Sequence, residues 1–158
     1  MTTIQDALTS MDYGPSPESP AAARQWLDRG PFGHFIAGKF TAPGEGFAVI
    51  DPYKGAELAQ VTQGTAADID AAVAAARKAQ KGWARLSGHQ RARHLYALAR
   101  ALQKHARLFA VLESLNNGKP IRESRDIDVP LAIRHFYHHA GWAELVEGEF
   151  PGLIPHGV

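Results

Sequence analysis

Three histidines near the end of the chain have the residue type and spacing that metal chemistry requires. His135, His138 and His139 lie at offsets of three and four residues, which place side chains on one face of a helix. Imidazoles grouped in this way bind zinc or nickel. The pattern lacks the glutamate of the H-E-x-x-H metalloprotease signature. We therefore favour packing and hydrogen bonding for these histidines, and we expect no metal site.

The sequence lacks the patterns of a catalytic nucleophile and of a phosphate-binding loop. The chain has 158 residues and no cysteine, which excludes thiolate catalysis, disulfides and thiolate metal sites. Ser87, Ser114 and Ser124 lack the glycine pattern of a nucleophile elbow. Gly44-Glu45-Gly46 is not followed by the Lys-Ser/Thr of a phosphate-binding loop. We assign no residue a catalytic or cofactor-binding role.

Charge and hydropathy exclude two further classes of protein. The net charge is +1, and acidic residues elsewhere balance a basic second helix, so we predict no nucleic-acid partner. The cations of that helix are Arg85, Arg91, Arg93, Arg100, Lys104 and Arg107. No apolar run approaches the roughly 20 residues that span a bilayer, so we predict no membrane partner. The first residues lack a signal peptide, and together these features favour the cytoplasm.

The predicted helices and strands, which must position any functional site, divide the chain into an N-terminal extension and a main domain. We predict an extension over residues 1–32, loop-like to Pro20, with one short helix over Ala21–Leu27. Residues 33–158 form the main domain, with strands at about 35–61 and helices at about 65–147. The strands are predicted at Phe35–Phe40, Phe47–Ile50 and Glu57–Val61, with a tight turn at Asp51–Gly55. The fold class is α/β, helix-rich, with a short antiparallel sheet.

Capping patterns divide the helical part. Thr65 with Asp68, and Ser87 with Gln90, have the spacing of capping boxes that begin two helices. The first of these helices has an apolar stripe of Ile69, Ala72, Val73, Ala76, Ala79 and Trp83. We expect a break in the second near residues 104–107. The sequence Asn116-Asn117-Gly118 then ends the helical run.

The last helix, predicted over about residues 126–147, has two apolar stripes. The first contains Val129, Ala132, Ile133, Phe136, Ala140 and Ala143, and the second contains Leu131, His135, His138, Trp142 and Leu145. A surface helix usually has one such stripe, so two indicate burial between two partners. The preceding helices supply one partner. The second partner is expected to lie outside this chain.

Four segments, read in order, resemble the N-terminal part of aldehyde dehydrogenases. They are Phe35–Phe40 as an opening strand, Asp51–Glu57 as the turn that follows, Leu115–Pro120 as the turn after the second helical region, and Ala140–Glu144 as the signature of the last helix. Each segment alone is a weak signal. Their shared order and spacing over about residues 33–158 make the resemblance specific.

The resemblance implies a structural segment of an NAD- or NADP-dependent enzyme that oxidises aldehydes to carboxylic acids. In that family a strand opening at Gly157-Val158 leads to the cofactor motif, and the nucleophilic cysteine lies further along. We therefore expect no turnover and no bound cofactor for this chain alone. Its partner is the remainder of the enzyme or a companion chain, and the complete enzyme is a homo-oligomer.

The resemblance also carries finer expectations. Residues Ser10–Ser19, with Trp26-Leu27-Asp28 and Gly33-His34, are similar to the sixteenth family of aldehyde dehydrogenases. Leu131 and His135 correspond to the wall of an aldehyde channel, although plain packing is the reading we favour. Asn116 stands where many members have an aspartate that helps to hold a monovalent cation. The alternative function is a stand-alone helical protein-interaction module derived from the same fold.

Overall fold

The computed structural model describes Ile4 and residues 18–149. The predicted loop over residues 1–17 and the strand opening at residues 157–158 lie outside the described residues. The elements in chain order are α1 (Ala21–Leu27), β1 (Phe35–Ile36), β2 (Lys39–Phe40), β3 (Gly46–Ile50), β4 (Glu57–Thr62), α2 (Ala66–Ala84), α3 (Gly88–Lys104), α4 (Ala106–Asn117), α5 (Ile121–Glu123), a π-helical turn (Ser124–Asp128) and α6 (Val129–Glu149).

The predicted single strand over Phe35–Phe40 is wrong, because this segment is a hairpin. β1 and β2 pair antiparallel around a turn in which Ala37 and Gly38 have φ values of 53° and 80°. Glycine favours such a conformation, whereas alanine adopts it rarely, so the positive φ of Ala37 could not be predicted from its residue type. The single predicted sheet is therefore two separate two-stranded sheets, β1–β2 and β3–β4.

The turn between β3 and β4 is confirmed. Asp51 is buried, and its carboxylate accepts hydrogen bonds from the backbone N–H groups of Tyr53 and Lys54 at 2.9 and 3.3 Å. Gly55 closes the turn with a φ of 65°. An aspartate that bonds the backbone two and three residues ahead fixes such a turn. Phe32 adds a short backbone pairing to the edge of β4.

Both predicted capping boxes are present. The Thr65 side chain and the Asp68 carboxylate cap the start of α2 reciprocally, and Ser87 and Gln90 do the same for α3. The predicted break occurs at His105, between α3 and α4. Gly118 ends α4 in the left-handed conformation, with a φ of 71°. Local side-chain chemistry thus sets these helix boundaries.

The core is a narrow seam, built mainly of alanine, between α3 and α6. Ala92, Ala99 and Ala140 are fully buried, and Ile133 is 8% exposed. Gly88, at the start of α3, lies directly against the carbonyl group of Ala143 on α6. Small side chains at these positions allow the two helix backbones to approach closely. The rest of the chain has no comparably buried set of large side chains among the described residues.

Two helices differ from expectation. α6 begins at Val129, three residues later than predicted, because a π-helical turn precedes it and the Val129 N–H bonds to the carbonyl of Ser124. Pro130 lies in the first turn of α6, where its missing N–H is tolerated. α2 has no buried residue, and of its apolar stripe Ile69 and Val73 are exposed. The alanines of that stripe face the β1–β2 hairpin.

Candidate functional site

The two stripes of α6 lie in different surroundings, as the sequence predicts. Ile133 and Ala140, from the first stripe, are buried in the seam against α3. The second stripe, which we call the outer face, consists of Leu131, His135, His138, Trp142 and Leu145, and all five are exposed. Ile127, in the π-helical turn, extends this apolar surface by one further exposed side chain.

The exposure of the outer face is large for apolar side chains. Leu131 is 39% exposed, Trp142 is 40% exposed and Leu145 is 53% exposed. Scattered exposed leucines are ordinary on a protein surface, but several large apolar side chains on one helix face, here joined by two histidine rings, indicate an interaction site. Leu131 and His135, the two predicted channel residues, lie one turn apart on this face. Both are open to solvent, so packing among residues 18–149 does not account for them.

The histidines of the outer face contact one another without forming a metal site. The rings of His138 and His139 meet edge to face at 5.3 Å, and His138 and Trp142 do so at 6.3 Å. His139 Nδ1 donates a hydrogen bond to the carbonyl oxygen of His135 at 2.7 Å. Within the part of the chain that the structure describes, no three His, Asp or Glu side chains are arranged to hold a metal ion.

Polar contacts fix the position of α6 against its neighbours. The Tyr137 hydroxyl donates to the Gln103 side chain on α3 at 3.0 Å. Glu144 Oε1 lies 3.0 Å from His89 Nδ1, also on α3. These contacts lie at opposite ends of α3 and hold one orientation of α6. The outer face is therefore presented by a helix with a fixed rotation about its axis.

A partly buried carboxylate, which sequence reasoning missed, joins the start of the described chain to the helices. Glu18 is 10% exposed, and it accepts hydrogen bonds from Arg107 at 2.6 and 3.1 Å and from Arg125 at 3.4 Å. Hydrogen bonding by Arg107, and then the charges of both arginines, hold the pKa of the Glu18 carboxyl below its ordinary value. Asp126 pairs with the same Arg125.

A second apolar surface lies beside the β3–β4 hairpin. A groove of about 400 Å³ is lined there by Trp26, Phe32, Val49, Leu112 and Asn116. Asn116 occupies the position at which many members of the resembling family have a cation-binding aspartate. Its surroundings in this groove are mostly apolar, and Glu113 is the only carboxylate among the lining residues.

The described residues do not fit a dinucleotide cofactor. A dinucleotide site needs a glycine-rich turn between a strand and the N-terminus of a helix. The glycine pair Gly44 and Gly46 instead leads into β3 of an antiparallel hairpin. Within residues 18–149, no helix combines the length and the apolar character that a membrane span requires.

Comparisons with known proteins agree on one family. The sequence profile of the aldehyde dehydrogenase family matches residues 40–156. The acetaldehyde dehydrogenase of Pseudomonas aeruginosa is 36% identical over 135 residues, which are 84% of this chain and 26% of that protein. The fluoroacetaldehyde dehydrogenase of Streptantibioticus cattleyicolor is 40% identical over 124 residues, with coverage of 77% and 24%.

Solved structures give the same result. The NAD⁺ complex of the Bacillus cereus aldehyde dehydrogenase superposes with a TM-score of 0.73 at 32% identity, covering 84% of this chain and 27% of that chain. HpcC from Thermus thermophilus superposes with a TM-score of 0.75 at 34% identity, covering 78% and 24%. The chain therefore spans about a quarter of the length of the relatives it matches. With a profile match over most of its length, the chain belongs to the aldehyde dehydrogenase family.

Proposed function

We propose that this chain is the N-terminal structural segment of an NAD(P)-dependent aldehyde dehydrogenase, and that its outer face docks against the rest of that enzyme. The observation that carries the proposal is the exposed outer face of α6. It points away from the side of α6 that already packs against α3. Docking of this face removes Leu131 and Leu145 from water. At about 1.5–3 kcal/mol for a fully buried leucine, these two half-exposed side chains contribute roughly 1–3 kcal/mol together.

The reaction of the complete enzyme is oxidation of an aldehyde to a carboxylic acid. In the complete enzyme, the remaining part would supply a thiolate as the nucleophile, and a bound nicotinamide cofactor would accept the hydride. This chain has no cysteine and no dinucleotide turn among its described residues, so both groups come from the docked part. The role left to this chain is to hold that part in place through α6. We further propose that the complete enzyme is a homo-oligomer, in line with the family resemblance.

Finer assignments belong to the same proposal. We place Leu131 and His135 at the wall of the aldehyde entrance, because both are exposed on the side of α6 that docks. The resemblance of the lead-in residues supports membership of the sixteenth aldehyde dehydrogenase family. The four family-like segments support a dehydrogenase segment over residues 33–158, preceded by an extension over residues 1–32. Substitution of Leu131 by alanine is expected to change the KM for the aldehyde more than kcat.

A chimera tests the proposal. The matched quarter of the Bacillus cereus aldehyde dehydrogenase is replaced by this chain, and aldehyde-dependent reduction of NAD⁺ is measured. The same enzyme rebuilt from its own two pieces is the control for the junction. The chimera is expected to be soluble and active. An inactive or insoluble chimera, beside an active control, contradicts the docking role and favours a stand-alone interaction module.

Two substitutions in the chimera make the test specific. Leu131→Asp places a carboxylate in the docked interface, where burial of an unpaired charge is expected to cost about 2–3 kcal/mol. Tyr53→Asp introduces the same carboxylate at a hairpin turn, where Tyr53 is 88% exposed. Activity is expected to fall roughly a hundredfold in the first variant and to stay near wild type in the second.

A further inference from the structure

The cations of the chain are concentrated in one stretch. Residues 71–112 contain no Asp or Glu and nine of the 17 Lys and Arg residues, which leaves eight cations and all 16 acidic residues to the rest of the chain. The nine are Arg77, Lys78, Lys81, Arg85, Arg91, Arg93, Arg100, Lys104 and Arg107. The net charge of +1 therefore conceals a strongly basic segment that covers most of α2, all of α3 and the start of α4.

The two helices each present their cations on a narrow side. At 100° per residue, Arg93, Arg100 and Lys104 lie within about 40° of one another on α3 and extend over roughly 16 Å. The cations at the end of α2, Arg77, Lys78, Lys81 and Arg85, lie within about 100°. All seven are exposed, and none forms an ion pair or hydrogen bond through its side chain within residues 18–149. Arg91 and Arg107, by contrast, have partners.

A groove runs along the basic side of α3. It has a volume of about 570 Å³, and its lining includes Gln90, Arg93, Ala97 and Arg100. Ala97 lies between the two arginines, at offsets of four and three residues, so its small side chain leaves room between two guanidinium groups. Guanidinium groups bind carboxylates through paired, charge-assisted hydrogen bonds. The groove thus fits a narrow chain with carboxylates about 10 Å apart.

We propose that this groove binds an acidic segment of a partner protein through Arg93 and Arg100. In a second copy of this chain, Glu18, Asp126 and Asp128 are already paired with its own cations, so these three carboxylates do not compete for the groove. Single-stranded nucleic acid also fits less well, since it requires free aromatic faces for stacking. The nearby Tyr96 ring lies against Tyr137 instead.

The test is a binding titration of the 158-residue chain at low ionic strength. The ligand is a fluorescein-labelled helical peptide of alanine and glutamate, with glutamate at every seventh position, and its glutamine version is the matched control. The variant Arg93→Gln with Arg100→Gln is compared with Lys39→Gln with Lys54→Gln, which removes two exposed cations outside the groove. Circular dichroism confirms that both variants fold like the wild type.

The expected result is that the glutamate peptide binds, that added salt weakens binding, and that the arginine variant binds about tenfold more weakly. The lysine variant is expected to bind like the wild type, and the glutamine peptide is expected not to bind. Equal losses in both variants, or no binding of the glutamate peptide, overturn the proposal. Tighter binding of a single-stranded thymidine oligonucleotide than of the peptide also overturns it, in favour of a nucleic-acid surface.

Discussion

Replacement of Gly88 by alanine measures how closely the two central helices approach each other. A Cβ at Gly88 would overlap the carbonyl oxygen of Ala143 and would lie 3.2 Å from both the Ala143 carbonyl carbon and Glu144 Cα. These are backbone atoms of α6, so relief requires movement of a helix rather than rotation of a side chain. Overpacking of this kind costs about 1–3 kcal/mol. We expect Gly88→Ala to lower the free energy of unfolding by that amount.

Gly141 provides the matched control. It lies within α6, and a Cβ there would meet no atom within 4 Å. Because alanine has the higher helix propensity, Gly141→Ala is expected to raise the free energy of unfolding by about 0.5–1 kcal/mol. The same chemical change thus has opposite signs at two positions, one at the seam with α3 and one on open surface. The two variants should differ by roughly 1.5–4 kcal/mol.

The assay is urea-induced unfolding of the 158-residue chain, followed by far-ultraviolet circular dichroism. The slope of the unfolding free energy against urea is expected to be the same for the wild type and both variants, so that the midpoints report stability. For a chain of this size, 1 kcal/mol also moves Tm by about 2–4 °C. If Gly88→Ala is as stable as the wild type or more stable, the close contact of α3 with α6 is refuted.

Three further predictions concern the Glu18 carboxylate, the hydrogen-bonded pair Ser114 and Ser124, and the helix caps. Because the folded-state pKa of Glu18 is depressed, its ion pairs stabilise the fold above the ordinary value of 4.5, and this stabilisation is lost as pH falls through the lower folded pKa. Thermal melts from pH 7 to pH 3 should thus show that Glu18→Gln has a lower Tm than the wild type at neutral pH but not at acidic pH; a pH-independent difference contradicts this. Ser114 donates a hydrogen bond at 3.3 Å to the fully buried Ser124, so Ser124→Ala should cost about 1–2 kcal/mol in urea unfolding, and adding Ser114→Ala should recover part of that loss. If the double variant is less stable than Ser124→Ala, the hydrogen bond is not the cause. Thr65→Ala should release α2 locally, seen as faster amide hydrogen exchange in residues 66–84 with little change in the global transition, because α2 buries no side chain. Ser87→Ala, at the start of the central α3, should instead lower global stability by about 0.5–2 kcal/mol, and equal global effects of the two variants would contradict this difference.

Local chemistry made much of the helical architecture predictable. The caps at Thr65 and Ser87, the break at His105 and the stop at Gly118 depend on side chains within a few residues of the boundary, so the sequence contains the whole cause. The two stripes of α6 were equally predictable from the spacing of their residues along the helix. The hairpin at Ala37 was missed, because nothing in the residue itself indicates the positive φ that it adopts.

Contacts between distant residues could not be predicted in the same way. Glu18 meets Arg107 across 89 positions of the chain, and neither residue has a neighbouring sequence signal that names its partner. Only part of the candidate site could be predicted from the sequence, for a related reason. The spacing shows that Leu131 and His135 share a face of α6, and the structure shows that this face is exposed. Their assignment to an aldehyde channel is a prediction that the exposure of the two side chains does not test.

Hydroxyl-radical footprinting of Leu131 and Leu145 tests the docking role of the outer face most directly. The two leucines are measured in the 158-residue chain alone and in the chimera with the Bacillus cereus enzyme, and Tyr53 serves as an internal reference. We predict strong labelling of both leucines in the chain alone, protection of at least about fivefold in the chimera, and constant labelling of Tyr53. Equal labelling of the leucines in both samples would contradict the account, as would protection already present in the chain alone.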